Sequence, residues 1–331
     1  MAYANLVSQF CTNNSEVFKR FRDFLCRRNG SYDYSLTGIG WTLHDAVYAT
    51  DEDNVSFGDY FVAYSPGESG KEDIYVKVTY ASGFINCHVY LHWNASTHIG
   101  VTAAGTVNNW TNTNSLKATL WVYGDLDSVV CIGKYASYYG VIFGHCPGSQ
   151  FATEVAISSG TVSSGSNVVV TVDAVPAGWA VGRKIFIRDQ VNVEIVTIAD
   201  ITGTSVTLSS VAVNYLAGCK LQGDVTYMHS GTNGLIASAS LITSHSGSKS
   251  VSHTLEPYAL PSAVTADGLS GGAALIPIYF STSTSLIGPV KNMQLRSNFG
   301  ATAEQTDIDN DGNTYRWFNI FSNKYVSILE V

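Results

Sequence analysis

Alternation of apolar and polar residues is the feature that most constrains the fold of this chain. In the segment DIYVKVTY, Ile74, Val76 and Val78 fall on one face, whereas Tyr75 and Lys77 fall on the other. A period of two residues places successive side chains on opposite sides of an extended backbone. The segment therefore predicts a β-strand with one buried face.

The same alternation recurs in several later segments separated by residues typical of turns. These segments are FGDYFVAY, FINCHVYLHW, KATLWVY, DSVVCIG and YYGVIF. Nineteen tyrosines and thirty glycines agree with strands that carry aromatic residues and with glycine-rich corners. Many short strands joined by turns predict a mainly β fold, a β-sandwich or jelly-roll-like domain.

A compositional change near residue 151 indicates an inserted module. Residues 151–226 are rich in Val, Ile and Thr, and they contain five short predicted strands, TEVAI, NVVVTVD, KIFIRD, VEIVTIAD and SVTLSS. Five short strands can close into a small β-barrel without free edges. We therefore predict a discontinuous β-sandwich domain, residues 36–150 and 227–331, interrupted by a small barrel at 151–226 and preceded by an N-terminal segment, 1–35.

One N-terminal amphipathic helix is predicted over residues 15–28, with Ser15 or Asn14 as its cap and Asn29-Gly30 as its end. Its apolar face either packs on the chain's own β domain or docks on a neighbouring subunit. Basic residues at its end form either a solvated face or a surface for an acidic partner. The interface hypothesis assigns the docking surface to Phe18, Phe21, Phe24, Leu25, Arg27 and Arg28.

Charge and cysteine content exclude several classes of function. The net charge of -8 disfavours binding to nucleic acid. The six cysteines contain no C-x-x-C pair, and the first residues lack the pattern of a secretion signal. No apolar run reaches the roughly 18 residues of a membrane-spanning helix, so membrane insertion is not expected. Only 13% of residues are charged, which suits surfaces that become buried against other chains.

The motif around Cys146 raises the question of whether this residue is a catalytic nucleophile. Gly144, Cys146 and Gly148 have the spacing of a hydrolase nucleophile elbow, which requires a strand before the nucleophile and a helix after it. The following residues, SQFATEVAIS, have no helical period. We therefore predict no catalytic residue and interpret Cys-Pro-Gly as the hinge into the inserted module.

The segment DIDNDGN resembles the first half of a calcium-binding loop. Asp307, Asp309 and Asp311 occupy its first, third and fifth positions, but the twelfth position is Phe318, where such a loop has a glutamate. An Asp-Gly hairpin is the favoured interpretation, and calcium binding by these three aspartates in another geometry is the alternative. His88 and His92 lie on one strand face but lack a third converging ligand for zinc.

Exposed tryptophans would favour a different function, the binding of a sugar. Aromatic residues and amides such as His92, Trp93, Asn108, Asn109 and Trp110 could line a sugar site, because an aromatic ring can stack on the apolar face of a pyranose. We treat these tryptophans as candidate glycan-binding residues and core packing as the alternative. Neither a P-loop nor a dinucleotide fingerprint is present in the sequence, and no cofactor is predicted.

Several segments resemble the structural proteins of tailed-bacteriophage virions. They are GDYFVAYSPGESGKEDIYVKVTY and WNASTHIG, then the small inserted β module, then LIPIYFSTSTSLIGPVKNMQL and DIDNDGNTYRWFNIF. The resemblance extends over most of the chain from about residue 40, and it transfers no functional residues. It implies symmetric copies in the tail, neck or baseplate of a particle assembled in the bacterial cytoplasm. The sequence therefore predicts a non-enzymatic virion component that binds itself and other virion proteins; the alternative is a carbohydrate- or receptor-binding β protein associated with a fibre.

Overall fold

The chain is mainly β in the part that its computed structural model describes. The described residues are 3–68, 74–82, 84–107, 117–135, 138–145, 155–176, 179–223, 226–232, 240–243, 248–252, 275–281, 286–296, 304, 306–308, 312–321 and 324–330. Within these ranges, antiparallel strands form three sheets and one segment is α-helical, which confirms the predicted fold class.

The helix and strands have the following bounds. The helix α1 spans Asn14–Leu25. The strands are β1 (Ala4–Cys11), β2 (Thr42–Val47), β3 (Tyr60–Ser65), β4 (Ile74–Ala81), β5 (Phe84–Asn94), β6 (Ile99–Val107), β7 (Ala118–Gly124), β8 (Ser128–Lys134), β9 (Tyr138–His145), β10 (Val155–Ile157), β11 (Gly165–Thr171), β12 (Lys184–Arg188), β13 (Val193–Thr202), β14 (Ser205–Val211), β15 (Lys220–Gln222), β16 (Thr226–Thr232), β17 (Ser240–Thr243), β18 (Ser248–Ser252), β19 (Leu275–Ser281), β20 (Leu286–Arg296), β21 (Thr306–Ile308), β22 (Thr314–Phe321) and β23 (Lys324–Glu330).

A five-stranded sheet follows the sequence order from β2 to β6. Its central strands obey the predicted alternation, since Phe61, Ala63 and Val76 point into the main core while Tyr60 and Tyr75 belong to a separate cluster on the opposite face. The sheet is therefore covered on one side by the rest of the molecule and carries aromatic residues on the other.

The larger sheet has twelve strands in the order β1-β7-β8-β9-β16-β17-β18-β19-β20-β23-β22-β21. Strand β1 lies at its edge and was not predicted from the sequence. Its register shifts between Leu6 and Gln9, and Ser8 has a φ of 53°. This bulge interrupts the alternation of apolar residues, so the strand gives no clear period-two pattern.

The far end of the twelve-stranded sheet curls back over its first strands. Phe318 of β22 packs against Trp121 of β7 with a ring separation of 5.3 Å, although these two strands are far apart in the sheet order. Arg316 of β22 forms an ion pair with Glu330 of β23, 2.5 Å between Nε and Oε2. The sheet therefore has the curvature of a half-barrel, with aromatic residues packed inside the curve.

Helix α1 packs between the five-stranded and twelve-stranded sheets. Phe21 contacts Phe61 of β3 and Phe143 of β9, each at a ring separation of 6.3 Å. Val17 and Phe24 are also fully buried in this core. The helix thus fills the interior of the sandwich, because its apolar face is wide enough to contact both sheets.

The ends of α1 differ from the predicted ones. Asn13, rather than Ser15 or Asn14, is the N-cap, and its side-chain oxygen accepts a hydrogen bond from Glu16 N at 3.0 Å. The helix ends at Leu25 because Arg27 takes a left-handed conformation, φ 51°, and Arg28 N donates to Asp23 O. A helix can end with this backbone pattern without glycine. The end predicted at residue 28 from Asn29-Gly30 therefore lies beyond the observed end at Leu25.

The predicted small barrel is present within residues 155–223. Its six strands follow the order β10-β15-β12-β13-β14-β11. The ring is closed by a bridge between Ser158 and Val172, next to a hydrogen bond from Asp173 N to Ile157 O. The sequence missed β15, which has only three residues and therefore no measurable period. The domain boundaries proposed from the sequence stay predictions.

The barrel lies between two neighbouring strands of the twelve-stranded sheet. Strand β9 ends at His145, which is paired with Thr226 at the start of β16. The barrel has its own apolar core, which includes Trp179, Ile187 and Leu208. The strand that precedes the barrel, β9, thus pairs directly with the strand that follows it, β16, as the two strands of a hairpin do.

Candidate functional site

The face of the five-stranded sheet that points away from α1 is the main candidate site. We call it the aromatic face. It consists of His44, Tyr60, Tyr64, Tyr75, Lys77, His88, Tyr90 and Trp93. The alternation in β3 and β4 produces it, since Tyr60, Tyr64 and Tyr75 take the positions between the core residues of these strands.

Rings on the aromatic face form a row across three strands. Tyr64 is directly opposite Tyr75, and Tyr75 is opposite Tyr90. The ring centroids of Tyr64 and Tyr75 are 4.9 Å apart, and His44 of β2 adds an edge contact with Tyr75 at 5.1 Å. Cross-strand aromatic pairs of this kind stabilise a sheet and hold its side chains in fixed positions.

Lys77 lies in the middle of the aromatic face. Its Nζ is 3.9 Å from the ring centre of Tyr60 and 5.4 Å from that of Trp93. Burial lowers the pKa of Lys77, and burial together with the nearby Lys77 charge lowers the pKa of His88, its cross-strand neighbour. His88 is therefore mainly neutral at pH 7, and the Lys77 ammonium is held against aromatic rings.

Trp93 is the most deeply buried ring of the aromatic face. Its ring is only 2% exposed, and its Nε1 donates to Asp45 Oδ2 at 2.7 Å. The same carboxylate oxygen lies 2.9 Å from Nδ1 of His98. A ring that binds a sugar by stacking must present an open face, so the prediction of a glycan-binding Trp93 is wrong. Trp110 lies outside the described residues.

The predicted docking helix is also corrected by the structure. Phe18, Phe21, Phe24 and Leu25 have no exposed surface, since they form the centre of the main core. They pack on the chain's own sheets, which was the alternative interpretation of the pattern. The periodicity of an apolar face is the same whether that face meets its own domain or another subunit, so sequence could not separate the two.

Basic residues of the helix are occupied within the chain. Arg22 is completely buried and donates to Asp23 Oδ1 at 2.8 Å. Arg28 forms an ion pair with Glu52 at 2.7 Å, and exposed Arg27 donates to Leu36 O at 3.0 Å. These contacts hold the segment after α1 against the helix. The predicted basic surface for an acidic partner is therefore an intramolecular network.

The aspartate-rich segment near the C-terminus lies in a hairpin. Asp307 of β21 pairs with Tyr315 of β22, and Gly312 has a φ of 82°, as the favoured Asp-Gly hairpin requires. Asp309 and Asp311 lie outside the described residues, and so does Cys146. The alternative of a calcium site at Asp307, Asp309 and Asp311 stays a prediction.

A different group of carboxylates was not found from the sequence. Glu68, Asp125 and Asp127 place oxygen atoms within 4.8 Å of one another. Asp125 Oδ1 accepts hydrogen bonds from the backbone of Asp127 and Ser128, and Asp127 accepts one from Glu68 N at 2.8 Å. Oxygen ligands suit Ca²⁺ or Mg²⁺. The hydrogen bonds show that the two buried aspartates also shape the turn between β7 and β8.

Comparison with known proteins adds no identification: no family model matches the chain, and no curated protein is similar to it. Among the described residues, no helix has the length and apolar character needed to cross a bilayer. The aromatic face could have been found from Tyr60 and Tyr64 of FGDYFVAY, which share one strand face, and from Tyr75 of DIYVKVTY, which lies opposite the face of Ile74, Val76 and Val78.

Proposed function

We propose that this chain is a non-enzymatic structural subunit of a bacteriophage virion, in the tail, baseplate or neck, which assembles through contacts with its own copies and with other virion proteins. The particle would be assembled in the cytoplasm of the host bacterium. The observation that carries the proposal is the half-exposed part of the aromatic face, Tyr64 and Tyr90, on the sheet whose strand β2 has an unpaired outer edge among the described residues. The other rings of the face, Tyr60, Tyr75 and Trp93, belong to a buried cluster. Tyrosine, tryptophan and few charged groups are the composition of protein interface cores.

An unpaired strand edge next to the aromatic face supports a second protein chain as its occupant. Strand β2 pairs only with β3 among the described residues, so the backbone groups on its outer side can pair with a neighbouring strand. Val47, the last residue of β2, is an apolar side chain with 39% of its surface exposed. A neighbouring chain would gain main-chain hydrogen bonds and apolar contact at the same place.

The thiols of the described residues support a structural role. Burial raises the pKa of Cys11 and Cys26 to about 12 in each case, and it also raises the pKa of Cys131. The reactive form of cysteine is the thiolate, so these three groups are not nucleophiles at neutral pH. Their environments are those of core residues.

The test is the oligomeric state of the purified chain, measured by mass photometry and negative-stain microscopy. We expect discrete symmetric oligomers. Val47→Asp, at the edge of the five-stranded sheet, should weaken the association by about tenfold or more, because an unpaired carboxylate would be buried in the interface. Phe10→Asp is the matched control, since Phe10 is an exposed apolar residue, 55%, on the edge strand of the other sheet.

Two outcomes would contradict the proposal in different ways. A monomer at micromolar concentration that binds no other virion protein would remove the assembly function. Oligomers that respond to Phe10→Asp but not to Val47→Asp would place the interface at β1 and leave the aromatic face without this role. Thermal unfolding of each variant confirms that the loss of association does not result from unfolding.

A further inference from the structure

The small barrel carries a cleft that the proposed function does not use. The cleft has a volume of about 410 Å³. It is built from two chain segments, the turn that follows β12 and the loop that leads into β15. Its lining residues are Arg188, Asp189, Gln190, Leu216, Ala217, Gly218, Cys219 and Lys220. The volume lies within the range of clefts that hold small molecules.

Two cationic side chains lie opposite each other at the cleft. Arg188 of β12 is paired with Lys220 of β15 in an antiparallel register. Side chains at such positions have Cβ atoms about 4.5–5.5 Å apart, and two like charges there destabilise the sheet. Neither the guanidinium of Arg188 nor the ammonium of Lys220 forms an ion pair among the described residues. An anion between them would remove this repulsion.

Asp189 connects the two chain segments that form the cleft. Its Oδ1 accepts hydrogen bonds from Val191 N and Asn192 N, each at 2.8 Å, and its Oδ2 accepts one from Leu216 N at 3.3 Å. These hydrogen bonds lower the pKa of Asp189, so the carboxylate is charged at neutral pH. Because it binds both segments, Asp189 fixes the distance between them. The two cations still outnumber this single anion in the lining.

The other lining groups determine the kind of anion. Leu216 is 64% exposed and gives the cleft an apolar wall, while the Gln190 amide, also exposed, can donate and accept hydrogen bonds. Arg188 can bind a carboxylate or a phosphate through two parallel N–H groups. A ligand that matches all three features has an anionic group, hydroxyls and an apolar edge on one compact frame.

We propose that this cleft binds an anionic saccharide, with its acidic group between Arg188 and Lys220 and its ring against Leu216 and Gln190. The proposal does not depend on assembly through the aromatic face, because the cleft lies entirely within the barrel. It also differs from the sugar site predicted at Trp93, which is a buried ring and has no role here.

The experiment is saturation-transfer difference NMR on the full chain, which detects weak ligands of a monomer or of an assembly. The probes are D-glucuronate and glucose 6-phosphate, which carry the two possible acidic groups, with glucose as the neutral control. Inorganic sulfate, an anion without a ring, has no protons to observe and is therefore added as a competitor against the acidic sugar. We expect saturable binding of at least one acidic sugar. Its Kd should be about tenfold or more lower than that of glucose, because a charge-assisted hydrogen bond is lost with the neutral sugar.

The variant Arg188→Gln/Lys220→Gln should weaken binding of the acidic sugar by about tenfold or more and leave the thermal midpoint unchanged or higher, since it removes two adjacent like charges. Lys184→Gln is the matched control, because Lys184 belongs to the same strand but does not line the cleft. Its Kd should equal that of the wild type. Which acidic sugar binds more tightly distinguishes a carboxylate from a phosphate ligand.

Three results would overturn the proposal. They are the absence of saturable binding for both acidic sugars, an equal Kd for glucose, and binding that the double variant does not change. If inorganic sulfate displaced the acidic sugar with an inhibition constant as low as the Kd of the sugar, the ring would contribute nothing, and the assignment to a saccharide would be wrong. None of these results bears on the oligomeric state, so failure here is distinct from failure of the assembly proposal.

Discussion

The ion pair between Arg22 and Asp23 is completely buried near the end of α1. Arg22 also donates to Glu52 O at 2.7 Å, and Asp23 accepts a hydrogen bond from Tyr32 N at 3.0 Å. Charged groups without water are stable only when every partner is present. These two residues therefore join the helix to the segment that follows it and to the loop between β2 and β3.

We expect Arg22→Ala to reduce the free energy of unfolding by about 3–5 kcal/mol, because the Asp23 carboxylate would remain buried without its main partner. Urea denaturation followed by tryptophan fluorescence measures the change. Lys19→Ala is the control: Lys19 makes one exposed hydrogen bond to Asp53 O, and its loss should cost no more than about 0.5 kcal/mol. Equal effects of the two substitutions would show that the buried pair has no special role.

Glu16 at the start of α1 links stability to pH. Burial alone would raise its pKa, but hydrogen bonds from Thr12 N and Thr12 Oγ1 and from Arg20 lower it to about 2. A carboxyl group whose pKa is lowered by folding contributes stability above its unfolded pKa of about 4.3, and this contribution is lost as the pH falls towards 2.

We therefore expect Glu16→Gln to be less stable than the wild type at pH 6, and the difference between them should shrink as the pH falls from 5 towards 2. Thermal unfolding midpoints across this range measure it. The substitution removes the charge and keeps a similar shape, so the pH dependence isolates the charged form. A difference in midpoint that stays constant with pH would contradict the assignment of the low pKa to Glu16.

At the scale of elements, α1 is the helix around which the two sheets pack. Phe21→Ala should reduce the free energy of unfolding by about 3–5 kcal/mol, since it removes ring contacts with both sheets and leaves a cavity. Phe10→Ala provides the comparison, because Phe10 is more than half exposed and should cost less than about 1 kcal/mol.

The same measurement separates the two functions considered for this helix. If α1 docked on a neighbouring subunit, Phe21→Ala would abolish association and leave the stability of the monomer unchanged. Because α1 lies in the core of this chain, we expect Phe21→Ala to lower the stability of the monomer itself. Chemical denaturation below the concentration of association, combined with mass photometry, distinguishes these outcomes.

At the scale of the whole molecule, the barrel is inserted where two strands already form a ladder. His145 is opposite Thr226, so the ends of β9 and β16 are close enough for a two-residue turn. We expect replacement of residues 146–225 by Asn-Gly to leave a cooperatively unfolding β protein with its oligomeric state unchanged. Far-UV circular dichroism and mass photometry test this. Loss of the β signal would show that the sandwich requires the barrel to fold.

Local pattern was sufficient to predict the mainly β class, the helix and the small barrel. In DIYVKVTY the alternation identified the buried face, because backbone geometry determines the direction of each side chain from its position alone. Strands β1 and β15 escaped prediction for local reasons, a bulge in one and a length of three residues in the other. Strands β2 and β6 were not predicted either.

Only the tertiary structure decided what each face contacts. The phenylalanines of α1 and the tyrosines of the aromatic face have similar apolar patterns, yet the first group is enclosed by two sheets, whereas the second forms a separate, buried to half-buried cluster on the opposite face of one sheet. The pairing of Arg188 with Lys220 is equally absent from the sequence, where 31 positions separate them. Alternation is a property of neighbouring residues, whereas burial and charge proximity depend on which distant strands become adjacent when the chain closes its core.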